Sequence, residues 1–541
     1  MTDEQVTIPR RTLHEWSFRT DREYREPFVD VTVHATFVSP GGVESTIEGF
    51  HDGDQTWKVR FNPGEVGDWT WQLASTPPNP DFEQDGSFRV TESDARGFLR
   101  STPGECWGFR HESGEPVLIV GDTVYHLFGM AHNSPEGFDA VKRFMDRRKA
   151  QGFNLLRVRI PVSPFHPVDG YSVWQTTSLW PWRGSTQAPR FDQFNLDYFR
   201  TVDAIMDHAE GIGIGIELIM QGWGFEFPFN ARHVFVAEWE ELWTRYLIAR
   251  YDAYNAAWFW QLHNEYEYYP NGDWHREGNG VSERWAIRMA HLVRRLAPHG
   301  HVIAIHNGPR LPSFGTRFRA DPLAIDTVMF QSWGTTGERD AWLAAGIEDE
   351  IHAALDDWPG SAVLAEWGYE FNPGLPPAML GHQYLDEHHT RRGAWRGVMS
   401  GLGIIHGWEN SWGPFQELDD DMPGVEQIQI VYRFFTGDVP FADLEPVVGL
   451  ASGLDEPGKR PLTLANQERT LIVVYLPVGG VVSTASVLAG AVSQWFNPRT
   501  GETTLADSSG TAAWTAPGPV DAEKPDDWVL VIRGSKSESN S

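Results

Sequence analysis

The chain of 541 residues has a single cysteine, Cys106, so no intrachain disulfide can form. Lysine is almost as scarce, with six residues against 38 arginines. No apolar run approaches the roughly 18 residues that a spanning helix needs. The opening stretch, MTDEQVTIPRRTLHEW, has no apolar h-region, so no signal peptide is read there. Together with the lone cysteine, this places the expected location in the cytoplasm. Positive charge is also short: the formal net charge is -30. A chain without basic patches does not suit nucleic acid or an anionic membrane surface, and the ordinary meaning of such a charge is solubility. Several motifs are missing as well. There is no GxGxxG or Walker pattern, no HExxH and no GxSxG elbow. The histidines His263, His275, His301, His306 and His406 do not fall at a ligand spacing. Neither a metal nor a cofactor is expected.

What is present in excess is aromatic. The chain has 25 Trp. Most must be core, but indole faces also suit the apolar C–H faces of sugar rings. The length implies several domains. Residues 1–100 read as an all-β domain, with alternating segments VDVTVHATFV (29–38) and TWKVRFNP (56–63) joined by Gly- and Pro-rich turns. That spacing predicts a β-sandwich. Residues 441–535 again alternate and turn, which predicts a second β-sandwich. Residues 536–541 (KSESNS) read as a disordered polar tail.

Between them, residues 101–440 alternate short apolar runs with amphipathic helical stretches. Eight runs stand out, at 117–123, 153–160, 214–220, 256–265, 301–307, 326–332, 361–368 and 401–409. Helical patterns follow at 138–152, 194–213, 239–254 and 424–435. Eight strand-then-helix units predict an α/β fold, the (β/α)8 TIM barrel. A doubly wound sheet is the rival, but it needs no eighth strand.

A barrel of this kind carries its chemistry at the C-terminal ends of its strands. Strand one ends at Asp122, with His126 just beyond. Strand two carries Arg157 and Arg159. Strand three has Glu217 and runs to Gln221 and Trp223. Strand four ends in His263, Asn264 and Glu265, strand five in His306 and Asn307, and strand six in Gln331 and Trp333. Strand seven ends in Glu366 and Trp367, and strand eight in His406, Trp408 and Glu409. The rim lacks lysine, so Schiff-base chemistry is excluded. Glu265 and Glu366 form the sharpest pair. Each follows an apolar run and has aromatic neighbours, and strands four and seven face each other across a barrel. Glycoside cleavage needs two such carboxyls, one of them with a raised pKa. Taken singly, each glutamate reads more readily as a loop carboxylate or a salt-bridge partner, and it is the pair, with Asn264 directly before Glu265, that points to catalysis. Arg157 or Arg159 reads either as the orienting partner of a catalytic glutamate or as half of a structural pair, and Glu217 as structural. Trp223, Trp333, Trp367 and Trp408 read as sugar platforms or as packing.

The residues also resemble a known family. ARYDAYNAAWFWQLHNEYEY (249–268), the IHN strand (305–307), Gln331, EWGYE (366–370) and the HG at 406–407 resemble the apiosidase-like family, within the large clan of retaining (β/α)8 glycoside hydrolases. GFHDGDQTWKVRFNPGEVGDWTW (49–71) resembles the β-sandwich that precedes such barrels. YLPVGG and WFNPRTGE resemble the small β-domain that follows them. The resemblance implies that Glu265 is the acid/base and Glu366 the nucleophile, with Asn264 on the hydroxyl beside the anomeric carbon. Asp122, His126, Arg159, Gln221, Trp223, His306, Asn307, Gln331, Trp333, Trp367, Trp408 and Glu409 would line the sugar site. Trp367, Trp408 and the Gln331/Trp333 pair depart from the usual pattern, which puts the substrate in question rather than the reaction. The expectation is a retaining, exo-acting glycosidase on oligosaccharides or glycosides from plant or bacterial glycans, furanosides among them. Its partner is a carbohydrate substrate, and a homo-oligomer stays open. An endo-acting polysaccharide hydrolase and a non-catalytic carbohydrate-binding protein are the alternatives.

Overall fold

The computed structural model describes residues 6–105, 107–133, 136–161, 179–185, 188–222, 236–269, 280–308, 314–332, 346–370, 386–407, 421–437, 439–485, 490–507, 512–518 and 525–534. Eight parallel strands close into a barrel in chain order. They are Val120–Thr123, Leu155–Arg159, Gly215–Ile219, Ala257–Gln261, Val302–His306, Thr327–Gln331, Ser361–Glu366 and Gly403–His406. Both faces of these strands are buried, which is why they read as nearly continuous apolar runs. All eight expected strands are present, each shorter than its apolar run. Strand four stops at Gln261, so His263, Asn264 and Glu265 lie beyond its end. The helices Phe138–Ala150, Leu196–Ile212, Ala237–Tyr251 and Pro423–Thr436 fall where the sequence places them. Two hairpins have no forerunner in the sequence reading: Leu99–Ser101 with Phe109–His111, ahead of the barrel, and Trp182–Ser185 with Ala188–Phe194, set between strand two and its helix.

The barrel is filled, not hollow. Leu155, Phe259, Ala304, Met329, Val363 and Ile405 pack on its axis, and Leu99 and Phe109 of a short hairpin join them. The hairpin closes the N-terminal end, where Ser101 meets Ser361 at the start of strand seven (2.7 Å). Two local irregularities aim the polar residues above this plug. The register shifts by one residue between strands three and four, and again between strands six and seven. The second shift sets Gln331 opposite Glu366. Gly215 is required where the strand-four Trp258 indole crosses strand three. A Cβ there would lie 2.1 Å from the ring.

The two flanking regions are β-sandwiches. In the N-terminal one, a five-stranded and a three-stranded sheet enclose Phe37, Trp57, Phe61, Trp69 and Phe88. In the C-terminal one, a six-stranded and a three-stranded sheet enclose Val474, Trp495, Trp514 and Leu530. Each is fastened to the barrel by buried charge. Arg250, on a barrel helix, pairs with Asp52 of the N-terminal sandwich (2.9 Å) and with Asp203 of its own barrel (2.7 Å). Arg391 pairs with Asp527 of the C-terminal sandwich (2.9 Å). Beside it, Trp395 stacks on Tyr475 with centroids 5.6 Å apart.

Candidate active site

Glu265 and Glu366 meet above the barrel plug. A single nitrogen, Nε2 of Gln331, donates to both: to Glu265 Oε1 at 2.8 Å and to Glu366 Oε2 at 2.8 Å. The two accepting oxygens therefore lie no further apart than twice 2.8 Å. Glu265 is 3% exposed and Glu366 5%, so both are largely withdrawn from solvent, where like charges repel more strongly than in water.

Their environments differ. Glu366 Oε1 accepts from the Tyr125 hydroxyl (2.7 Å) and from Arg157 Nη1 (2.6 Å). His306 Nε2 stands 3.4 Å from the same oxygen. Glu366 is thus ringed by charged and neutral donors. Among the described residues, Glu265 receives only the Gln331 amide, and its Oε2 has no hydrogen-bond partner. Burial, and after it the charge of Glu366, push the Glu265 carboxyl well above the usual range. One carboxyl is surrounded by donors while the other is short of them and has its pKa pushed up, the kind of difference between two carboxyls that acid–base chemistry at a sugar uses.

The backbone contributes too. Glu265 sits at φ 56°, ψ 66°, in the left-handed region that non-glycine residues seldom adopt. Its amide donates to His306 Nδ1 (3.2 Å). That bond makes Nδ1 the acceptor, so the neutral ring carries its proton on Nε2, toward Glu366. Burial and the nearby Arg157 hold His306 well below its ordinary pKa, in keeping with a neutral ring. Arg157 also binds Asn264 Oδ1 through Nη2, which fixes the orientation of that amide beside Glu265. The guanidinium of Arg159 lies over the Tyr125 ring at 4.4 Å.

Other residues of the expected set are placed nearby but bonded elsewhere. Asn307 pins strand six: its Oδ1 accepts from the Gln331 backbone (2.8 Å) and its Nδ2 donates to the Gln331 carbonyl (3.0 Å). Gln221 donates to Glu240 (3.1 Å). Asp122 accepts from Arg148 (2.6 Å) and pairs with His406 (2.9 Å), whose pKa rises to about 9 because the bonds to Asp122 and Glu370 outweigh its burial. His126 is buried beside Tyr125. Trp367 belongs to the core, with its indole against Gly393 of the helix Glu387–Met399. Trp223, Trp333, Trp408, Glu409 and His275 lie outside the described residues. Sequence reasoning missed Tyr125 and Tyr369, whose hydroxyls meet at 3.2 Å next to Glu366. The available cue was a tyrosine just past the end of strand one. Among the described residues, no group of three or more His, Cys, Asp or Glu side chains is arranged to hold a metal ion. No described helix is long and apolar enough to cross a membrane.

Comparison with known proteins bears on this arrangement. Residues 107–437 match the family model "Apiosidase-like, catalytic domain". Residues 10–76 match a domain of unknown function, DUF5060, and residues 454–533 match the "Putative collagen-binding domain of a collagenase". No curated protein matches the chain. Among solved structures, the chain is similar to a "putative glycoside hydrolase" from Bacteroides vulgatus ATCC 8482. That likeness has 17% identity and a TM-score of 0.71 and covers 98% of this chain and all of the other. A glycoside hydrolase family 5 protein of the same organism is similar at 17% identity and a TM-score of 0.60, over 82% of this chain and 94% of its own. At such identities these structures speak for the fold alone. The family match spans well over half of the chain, so this protein belongs to the apiosidase-like family and is a glycoside hydrolase.

Proposed function

We propose that the enzyme is a retaining glycosidase in which Glu366 is the nucleophile and Glu265 the acid/base. The observation that carries this is the shared Gln331 amide, which holds the two carboxyls within twice 2.8 Å. Retaining enzymes keep their carboxyls about 5–5.5 Å apart, whereas inverting ones leave room for water at about 6.5–9.5 Å. Glu366 attacks the anomeric carbon while the bond to the leaving oxygen breaks, and that oxygen takes the Glu265 proton. Glu265 then draws a proton from water, which attacks the same carbon and frees Glu366. Asn264, oriented by Arg157, faces the hydroxyl next to the anomeric carbon.

For the substrate, we read an exo-acting enzyme on oligosaccharides or small glycosides from plant or bacterial glycans. Deep burial of both carboxyls suits a pocket that receives a chain end. The family's name points to apiose, a branched sugar that forms furanosides, and so to furanosides in the panel. The lone cysteine suits the cytoplasm.

The test is a panel of 4-nitrophenyl glycosides, furanosides included, with the anomer of the first-formed product read by NMR. Release of a sugar with its configuration retained, lost in folded Glu366→Ala and Glu265→Ala, supports the reading. An inverted first product overturns it. Binding of a sugar with no turnover would favour a carbohydrate-binding protein.

A further inference from the structure

Glu217 lies on strand three, beneath the two carboxyls, and the reaction as written does not use it. It has no solvent exposure, and neither of its oxygens accepts a hydrogen bond among the described residues. Its nearest charge is Arg157, whose Nε stands 3.4 Å from Oε1. Arg157 is equally buried and points its other nitrogens at Glu366 and Asn264. One guanidinium thus sits between two carboxyls, bonded to Glu366 and merely near Glu217. Of the charged groups on the elements packed around Glu217, Arg157 on strand two and Glu366 on strand seven act on it, and its strand-four neighbour is Phe259.

We propose that Glu217 is a positioning residue that takes over Arg157 as its counter-ion when Glu366 becomes esterified to the sugar. The inference rests on Glu366 being the nucleophile. Formation of the glycosyl–enzyme bond moves the negative charge from Glu366, which Arg157 bonds, to Glu265, which among the described residues is bonded by Gln331 and not by Arg157. A buried guanidinium left without an anion in contact is strongly disfavoured. Glu217 supplies the replacement by releasing its own proton to solvent, and it takes a proton back when water frees Glu366. Arg157 therefore keeps one anionic partner throughout and does not swing away from Asn264. The resting state suits this role. Burial pushes the Glu217 carboxyl up to about 7; Arg157 pulls it down and Glu366 pushes it further up. Loss of the charge on Glu366 removes that last effect and shifts Glu217 further toward its anion near neutral pH.

The experiment uses the full-length Glu265→Gln variant, because the same loss of charge would lower Glu265 and mask the signal. The probe is the 2,4-dinitrophenyl 2-deoxy-2-fluoro glycoside of the sugar identified by the panel, whose leaving group needs no acid. Intact mass reports the adduct, and a pH indicator in weak buffer at pH 7 reports protons. The expected result is an adduct on Glu366 with release of a sizeable fraction of one proton per adduct. The same adduct without proton release overturns the proposal. Adding Glu217→Gln should abolish the release while the adduct still forms, and release that persists also overturns it. If no adduct forms on Glu366 although the wild type turns over, the nucleophile assignment itself has failed, and this inference fails with it.

Discussion

Asp527, at the junction of the barrel and the C-terminal sandwich, and Glu265, at the end of strand four, are both carboxyls shut away from water. Asp527 accepts from Arg391 through two nitrogens and from the Tyr475 hydroxyl (3.1 Å), and Arg499 also reaches it. Burial would raise its pKa, but the arginines outweigh that and bring it to about 2. Glu265 has one neutral amide and a like charge nearby, so burial wins and its proton stays. The two sites cost the fold differently. At the junction every charge has its counter-charge, and the pair locks two domains. At the rim a carboxyl is short of partners among the described residues, the kind of perturbed group that functional sites collect.

The comparison breaks most sharply at the acidic pair. Glu366→Ala should lower kcat on a 4-nitrophenyl glycoside by at least about 10,000-fold, since nucleophile and acid act as a unit. Glu265→Ala should cost about 100- to 10,000-fold on poor leaving groups and far less on 2,4-dinitrophenyl glycosides, which need no acid. Gln331→Ala, which removes the shared donor, should lower kcat/KM about 100-fold. It should also move the basic limb of the pH profile upward, because the Gln331 bond lowers the Glu265 pKa. A limb that stays in place would mean that Gln331 does not set the acid. At the junction the effects fall on stability instead. Asp527→Asn strands Arg391 and should cost about 3–5 kcal/mol in denaturant unfolding, while the molecules still folded keep their kcat. The smallest effect belongs to pH. The Asp527 carboxyl is depressed in the folded chain, so its contribution is present above the unfolded pKa and fades as pH falls from about 4 through about 2. About 2 kcal/mol of stability is lost in that window. The stability gap between wild type and Asp527→Asn should therefore narrow by about 2 kcal/mol at the acid end.

How much of this was legible beforehand depended on the range of each interaction. The eight strands were readable because a strand buried on both faces leaves a local apolar run, whatever it packs against. Glu265 and Glu366 were readable because strand ends place side chains at the rim. What joins them was not. Gln331 reaches Glu366 through a one-residue register shift between strands six and seven, which no local pattern records. Arg157 was read as an orienting partner or a structural pair, and its fork binds Glu366 and Asn264, on strand seven and just past strand four. Asn307 and Gln221 carried the right chemistry for sugar hydroxyls, but neighbouring polar groups claim their amides. Trp367 reads as a platform only until Gly393 is set beneath it: a glycine inside a helix leaves room for an indole.

The left-handed backbone of Glu265 has a consequence for how the protein changes over generations. Such a conformation strains any residue with a Cβ, by about 1–2 kcal/mol, and glycine escapes it. Drift toward glycine at 265 would relieve the strain and remove an awkward buried carboxyl in one substitution. A lineage that used this barrel only to hold sugars would find that path open and downhill. The glutamate at 265 is thus a residue that thermostability alone would discard, and the proposed acid/base role is a reason for a chain to keep it.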